Sequence, residues 1–166
     1  MHVSRCLPIA CAFVLAACSG GGAQLAEAQK APRQVNIDIQ AAAKLNTSKK
    51  GQPLALVARI YKLRQRTAFD QAPFDAFMSP AREQEALGAD LLEVKEVMLI
   101  PGQQYKLTEK VSRDAGYVGV VALFHNPAAQ RWRAAFPTAE LEKTGLALGA
   151  HACSLTTPAA STPARC

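Results

Sequence analysis

Short segments in which apolar and polar residues alternate recur from residue 35 to residue 148, and they limit the folds open to this chain. Val35, Ile37 and Ile39 alternate with polar neighbours, which is typical of a strand with one buried and one wet face. Residues 53–63 begin apolar on both faces, which predicts an inner strand. Seven such segments separated by turn signals predict an all-β fold, an antiparallel β-sandwich of the 35–155 region.

The strand pattern is interrupted at about 67–88, which predicts a small helical insert. Thr67 with Asp70 three residues later suggests an N-cap, and Ser79-Pro80 begins a second short helix that Gly88 ends. The apolar residues of this segment are interpreted as core packing on a shared face: Phe69, Phe74, Phe77 and Met78.

Residues 91–111 read as a β-hairpin. The alternation slips at Lys95-Glu96, which predicts a bulge, and Pro101-Gly102 has the composition of a type II turn. Glu109 is the charged member of an otherwise apolar inward set on the returning strand.

The first 17 residues have the features of an export signal: Arg5 near the start, an apolar run from Leu7 to Leu15, and small residues before Cys18. The segment is too short to be a membrane span. Leu15-Ala16-Ala17-Cys18 resembles the lipobox of bacterial lipoproteins, which implies diacylglycerol on the Cys18 sulfur, cleavage before Cys18 and acylation of the new amine. Ser19, where an aspartate would imply retention at the inner membrane, implies the outer membrane. The alternative is an ordinary signal peptide in which Cys18 is incidental.

Residues 18–34 are expected to be a lipid-bearing cysteine followed by a flexible tether that starts Ser-Gly-Gly-Gly. A coil of about 16 residues spans roughly 20 to 25 Å, so the folded part would sit just clear of the lipid surface. Each buried methylene contributes about 0.8 kcal/mol, so several acyl chains hold a protein stably where one does not.

Length and composition agree with one domain, and because the chain has the features of an exported lipoprotein, we expect no nucleic-acid partner in spite of its positive charge. Without Arg5 the remaining chain has 18 Lys and Arg against 13 Asp and Glu, a formal charge of +5. Cys153 and Cys166 form a possible disulfide in an oxidising periplasm. That bridge would close a segment of Thr, Ala, Pro and Ser, so we expect it to order the tail, residues 156–166, without holding the fold.

Residues suited to catalysis or metal binding are sparse. His125 and His151 lie in no spacing typical of a metal site or a triad, and a zinc cluster of His151 with the two cysteines is a weaker interpretation than a disulfide. Asp90, Glu93 and Glu96 are three residues apart, so on a strand they would not converge on one point. The sequence therefore predicts no cofactor apart from covalent lipid on Cys18, no metal site and no enzymatic activity.

Several motifs, taken in order, resemble the TssJ family, the outer-membrane lipoproteins of the bacterial type VI secretion system. The resemblance runs from about residue 35 to residue 148. Its motifs are Arg59-Ile60-Tyr61-Lys62-Leu63 with Phe69 and Phe74, Leu87-Gly88-Ala89-Asp90-Leu91-Leu92 before Pro101-Gly102, Tyr117-Val118-Gly119-Val120-Val121-Ala122, and Trp132-Arg133. Lys95-Glu96 and His125-Asn126 depart from the family pattern.

The resemblance implies a transthyretin-like sandwich of seven to eight strands that acts as a structural part. In the family the lipoprotein holds the periplasmic part of the inner-membrane protein TssM at the outer membrane, within a complex that includes TssL. The family's partner-contacting element is the loop between the first two strands. In this chain that loop is Lys44, Leu45, Asn46, Thr47, Ser48, Lys49, Lys50 and Gly51, with Leu45 as an expected apolar tip beside positive charge.

Two other classes of function stay open on the sequence. A lipoprotein that binds a small ligand or a cell-wall component would need a concave apolar pocket with converging polar groups. A periplasmic hydrolase would need a nucleophile paired with a base, and the sequence suggests none.

Overall fold

The computed structural model describes residues 30–166, which form two four-stranded sheets around one apolar core. The strands are β1 Arg33–Ala41, β2 Leu56–Leu63, β3 Leu91–Leu99, β4 Gln104–Val111, β5 Tyr117–Ala122, β6 Arg133–Pro137, β7 Leu146–Ala150 and β8 Leu155–Thr156. The helices are α1 Thr67–Gln71, α2 Pro80–Leu87 and α3 Thr138–Thr144, with 3-10 segments at Phe74–Met78 and Gly88–Asp90. One sheet has the order β4-β1-β7-β8 and the other β3-β2-β5-β6, which confirms the predicted sandwich.

The alternation in β1 places Val35, Ile37 and Ile39 in the core and their polar neighbours outside it. β2 has neighbours on both sides, β3 and β5, so the prediction of an inner strand is confirmed. The sheets are mainly antiparallel, but β1 and β7 pair in parallel. Helix α3, which precedes β7, was not expected from the sequence.

The predicted hairpin of residues 91–111 is wrong. β3 pairs with β2 in one sheet, whereas β4 pairs with β1 in the other. Pro101-Gly102 still forms a turn, with Gly102 at φ +79°, but this turn carries the chain between sheets. Pro101-Gly102 predicts a turn whether the two flanking strands pair with each other or with strands of different sheets, because a local turn signal does not specify which strands exchange hydrogen bonds.

The predicted bulge at Lys95-Glu96 is also misplaced. Pairing between β2 and β3 is continuous there, and the register shifts instead where Lys62 pairs with Glu93 and Leu63 with Leu91. Lys95 keeps the inward position of the alternation, where its ammonium pairs with Glu109 of the opposite sheet. Lys95 is a charged residue at an inward position, so it interrupts the apolar–polar alternation of the sequence although the strand register does not change there.

The helical insert is present, with two corrections. Thr67 makes no side-chain cap; it is the first residue of α1, whose first turn is tied by an ion pair from Arg66 to Asp70 at 2.5 Å. Phe69 and Phe77 are fully buried and Phe74 is half-buried, but Met78 is 59% exposed and so does not belong to the core. α2 begins after Ser79 and ends at Gly88, as predicted.

The insert packs on the outer face of β2 and β5. The rings of Tyr61, Phe69 and Phe77 lie 5.4 to 5.8 Å apart, between centroids, in tilted and edge-on contacts. The Arg133 guanidinium of β6 donates hydrogen bonds to the carbonyls that end α1: Phe69, Asp70 and Ala72. These contacts fix the insert on one sheet and leave the loops at the ends of the sandwich to other roles.

Candidate partner-binding surface

Only part of the predicted contact loop, residues 44–51, is exposed to solvent. Lys44, Lys49, Lys50 and Gly51 are exposed, and Thr47 and Ser48 are half-buried. Leu45 is fully buried in the core and Asn46 is 6% exposed. The expectation that Leu45 forms an apolar tip is therefore wrong: the loop uses its one large apolar side chain to hold itself against the sandwich.

Asn46 fixes the path of this loop. Its φ of +45° lies in the left-handed region, which asparagine tolerates better than most residues. Its side-chain amide donates to the Ala55 carbonyl at 2.8 Å and accepts from the His125 backbone N–H at 2.7 Å. Its own N–H donates to the His151 carbonyl at 3.0 Å. The side chain of Asn46 thus joins the loop to the residue directly before β2 and to the segment after β5, and its backbone N–H joins the loop to the segment after β7.

Beyond Asn46 the loop closes a tight turn that displays its two adjacent lysines. The Ser48 hydroxyl accepts from the N–H groups of Lys50 and Gln52, and the Gly51 N–H donates to the Ser48 carbonyl at 2.8 Å. Gly51 has φ +73°, a conformation that glycine adopts without strain. Lys49 and Lys50 therefore project from an ordered backbone, and less conformational entropy is lost when they bind a partner.

A disulfide borders the loop. Cys153 and Cys166 are joined at an S–S distance of 2.11 Å, with Cys153 buried. Both cysteines, with Asn126, line a cleft of about 200 Å³ whose other wall is Thr47, Ser48 and Lys49. These cysteines are far from the loop in the sequence, and their spacing does not indicate that the fold brings them next to it.

His151 lies at the same end of the sandwich. Its Nε2 is 2.9 Å from the Thr156 hydroxyl, and burial lowers the pKa of its imidazole below the ordinary value of 6.5. The ring is therefore neutral at neutral pH. The positive charge of this region comes from lysine and arginine.

Two of the three carboxylates that the sequence singled out, Glu93 and Glu96, form ion pairs within the fold. Glu93 accepts from Lys62 at 2.7 Å, and Glu96 pairs with Arg59 at 3.0 Å. Within residues 30–166 no three His, Cys, Asp or Glu side chains are grouped so that they could hold a metal ion. A groove of about 570 Å³ runs along the outer face of β4, β1 and β7, on the surface and not between the sheets.

The export signal and Cys18 lie outside the described residues. In the part that is described, no helix has the length and apolar character needed to cross a membrane.

Residues 33–153 match the T6SS-SciN family model, described as type VI secretion lipoprotein, VasD, EvfM, TssJ. No curated protein matches the chain by sequence.

Three solved structures are similar over most of the chain. A chain of a "Type VI membrane complex" is 30% identical, with a TM-score of 0.69, covering 76% of this chain and 98% of that one. The lipoprotein TssJ1 from Pseudomonas aeruginosa is 28% identical, with a TM-score of 0.67, covering 81% and 99%. A chain of a structure described as the T6SS protein TssM C-terminal domain from EAEC is 29% identical, with a TM-score of 0.64, covering 80% and 99%.

Proposed function

This chain belongs to the type VI secretion lipoprotein family, TssJ, and from that membership we propose that it is a structural part of the trans-envelope complex that binds the periplasmic part of a TssM-type protein. The observation that carries the proposal is the family match over 33–153, which spans the sandwich from β1 to Cys153. Similarity to chains from a type VI membrane complex and from a TssM structure supports an association of the same kind.

The loop of residues 44–51 is the proposed centre of contact. Its backbone is held by Asn46 and its lysines are exposed, so it offers positive charge in a fixed position. Such a surface suits an acidic patch on the partner, because complementary charge speeds association and selects the register of docking.

The proposed anchor is lipid on Cys18, with the domain on the periplasmic side of the outer membrane. Two or more acyl chains give stable membrane attachment, whereas a single chain gives reversible binding. With β1 beginning at Arg33, residues 19–32 would link the lipid to the domain. The protein would then act by holding its partner, without chemistry of its own and without a cofactor other than this lipid.

The proposed function is tested by capture of the partner. The full-length lipoprotein, extracted in detergent, should retain the periplasmic part of the TssM-type protein from the same cell, as measured by pull-down and then by surface plasmon resonance. Folded wild-type protein that captures nothing would overturn the assignment.

The loop is tested by Lys49→Glu with Lys50→Glu. If these lysines face an acidic patch, reversing both charges should weaken affinity by about a hundredfold, since each close charge pair contributes about 1.4 kcal/mol or more at an interface. The matched control reverses Lys110 and Lys143, which are also exposed but lie on β4 and α3. Equal affinities of the loop variant and wild type would exclude the two lysines as contacts.

A further inference from the structure

Positive charge is segregated at one end of the sandwich. The loops that meet there are residues 42–55, 123–132 and 151–166, here called the cationic end. They contain five basic residues and no Asp or Glu: Lys44, Lys49, Lys50, Arg131 and Arg165. All acidic side chains of the described chain lie elsewhere, where they offset most of the remaining basic residues.

Backbone hydrogen bonds connect the three loops to one another. Thr47 N–H donates to the Ala152 carbonyl at 2.9 Å, next to the Asn46 contacts already described. Ala128 N–H donates to the Cys153 carbonyl at 2.8 Å, and Leu155 N–H donates to the Arg131 carbonyl at 2.6 Å. A partner that touches the 44–51 loop therefore meets the other two loops in fixed positions.

The segment 154–166 is the part of this end that the family model does not cover, since the match stops at residue 153. The disulfide closes it, and Ala164 N–H donates to the Ser154 hydroxyl at 3.0 Å. The Arg131 guanidinium donates to the Thr162 carbonyl at 2.6 Å, and this hydrogen bond helps to hold the segment in place. Arg165 is exposed, and its neighbour Cys166 shares the cleft with Lys49.

The cationic end points away from the tether. β1 starts at Arg33, so its first two residues belong to the segment 18–34 that was predicted as tether, and it ends at Ala41. The next residue, Ala42, donates its N–H to the Ala150 carbonyl at the cationic end. A nine-residue strand at about 3.3 Å per residue separates the two ends by roughly 30 Å. An anchored domain thus presents this charge to the periplasm, which favours a protein partner over the lipid headgroups of its own membrane.

We propose that the disulfide-closed segment 154–166 is a second half of the partner surface, which sets Arg165 beside Lys49 so that both contact an acidic surface of the periplasmic partner. The inference rests on the proposed function and adds to it a contact that lies outside the family match. The disulfide is then a positioning element: it holds Cys166 in the wall of the cleft, and so keeps its neighbour Arg165 close to the cleft.

The test compares four full-length lipoproteins in detergent: wild type, Arg165→Glu, the double variant Cys153→Ser with Cys166→Ser, and the combination of all three changes. Binding to the periplasmic part of the TssM-type protein is measured at low and high salt. Arg165→Glu should weaken affinity about tenfold at low salt and less at high salt, because salt screens exposed charge. The control is Lys110→Glu on the β4 strand, which should bind as wild type does.

The combination separates positioning from a general loss of structure. If the disulfide acts by holding Arg165, then Arg165→Glu should cost much less affinity in the background without the disulfide than in wild type. Circular dichroism melting checks that each variant is folded. Independent, additive losses would overturn the positioning role.

The remaining outcomes are also decisive. If wild type binds and Arg165→Glu binds equally well, the proposal of a second half of the surface is wrong although the proposed function stands. If wild type does not bind, the proposed function itself fails.

A membrane role is tested with phosphatidylglycerol vesicles and full-length Cys18→Ala protein, with and without Arg165→Glu. Loss of vesicle binding by Arg165→Glu, with partner binding unchanged, would assign the surface to lipid and overturn the proposal.

Discussion

At the scale of single residues, Glu109 shows how a charged group can belong to a core. Its carboxylate, on β4, accepts from Lys95 at 2.6 Å and lies 3.2 Å from the Lys62 ammonium, and both lysines belong to the other sheet. Burial alone would raise the pKa of Glu109, but the hydrogen bonds and charges of the two lysines outweigh it and lower that pKa. The cluster joins the two sheets along the side where β3 and β4 are edge strands.

We predict that Glu109→Gln lowers the free energy of unfolding by about 2 to 3 kcal/mol, because it leaves the buried Lys62 ammonium with fewer partners. Lys95→Gln is the milder comparison, at under about 1 kcal/mol, because the Lys95 side chain is nearly half exposed. Urea unfolding measures both. Equal losses in the two variants would contradict this account.

Glu109 also predicts a pH dependence. Its pKa is lower in the folded protein than the ordinary value of about 4.5, so the unfolded state binds more protons between the two values, and stability falls as pH drops through that window. The contribution is fully present above about pH 4.5. Urea unfolding of wild type and Glu109→Gln should therefore differ most at neutral pH and converge in acid; a constant difference would show that the carboxylate charge is not the cause.

At the scale of elements, the helical insert packs on β5 at a position that has no side chain, Gly119. A Cβ at Gly119 would lie 2.8 Å from Cζ of Phe69, closer than carbon atoms pack. Phe69 is fully buried against Tyr61 and Phe77, so its ring has little room to move. The glycine in the strand makes room for the insert.

We predict that Gly119→Ala destabilises the fold by about 1 to 3 kcal/mol through overpacking. Phe69→Leu alone should also destabilise it, by leaving a cavity. The double variant should lose less than the sum of the two, because the smaller side chain relieves the clash. Thermal unfolding of all four proteins gives the coupling, and a value of zero would mean that the insert does not rest on Gly119.

At the scale of the whole molecule, the sandwich places the proposed attachment and the proposed partner surface at opposite ends. The tether enters at Arg33, and the cationic end lies at the other end of β1. If Cys18 carries lipid, the domain connects a membrane at one end to a protein at the other. This arrangement needs a rigid body between the two, which the pairing of β1 with both β4 and β7 supplies.

We predict that Cys18→Ala leaves the domain folded, because residues 30–166 contain both sheets and the core between them, and that it removes the acyl chains and abolishes type VI secretion. Mass spectrometry reports the lipid, circular dichroism reports the fold, and release of type VI substrates into the medium reports function. Normal secretion by this variant would show that the anchor is dispensable.

The sequence by itself determined the local features of this protein: the alternation of β1, the inner position of β2, the end of α2 at Gly88 and the family resemblance. Each of these depends on side-chain period, turn chemistry or motif order, which neighbours along the chain are enough to express. Only the tertiary structure decided that β3 and β4 lie in different sheets, that Leu45 is buried, and that Cys166 adjoins Lys49. Those facts depend on which distant segments exchange hydrogen bonds and share the core, and the local sequence pattern is the same whichever partners are chosen.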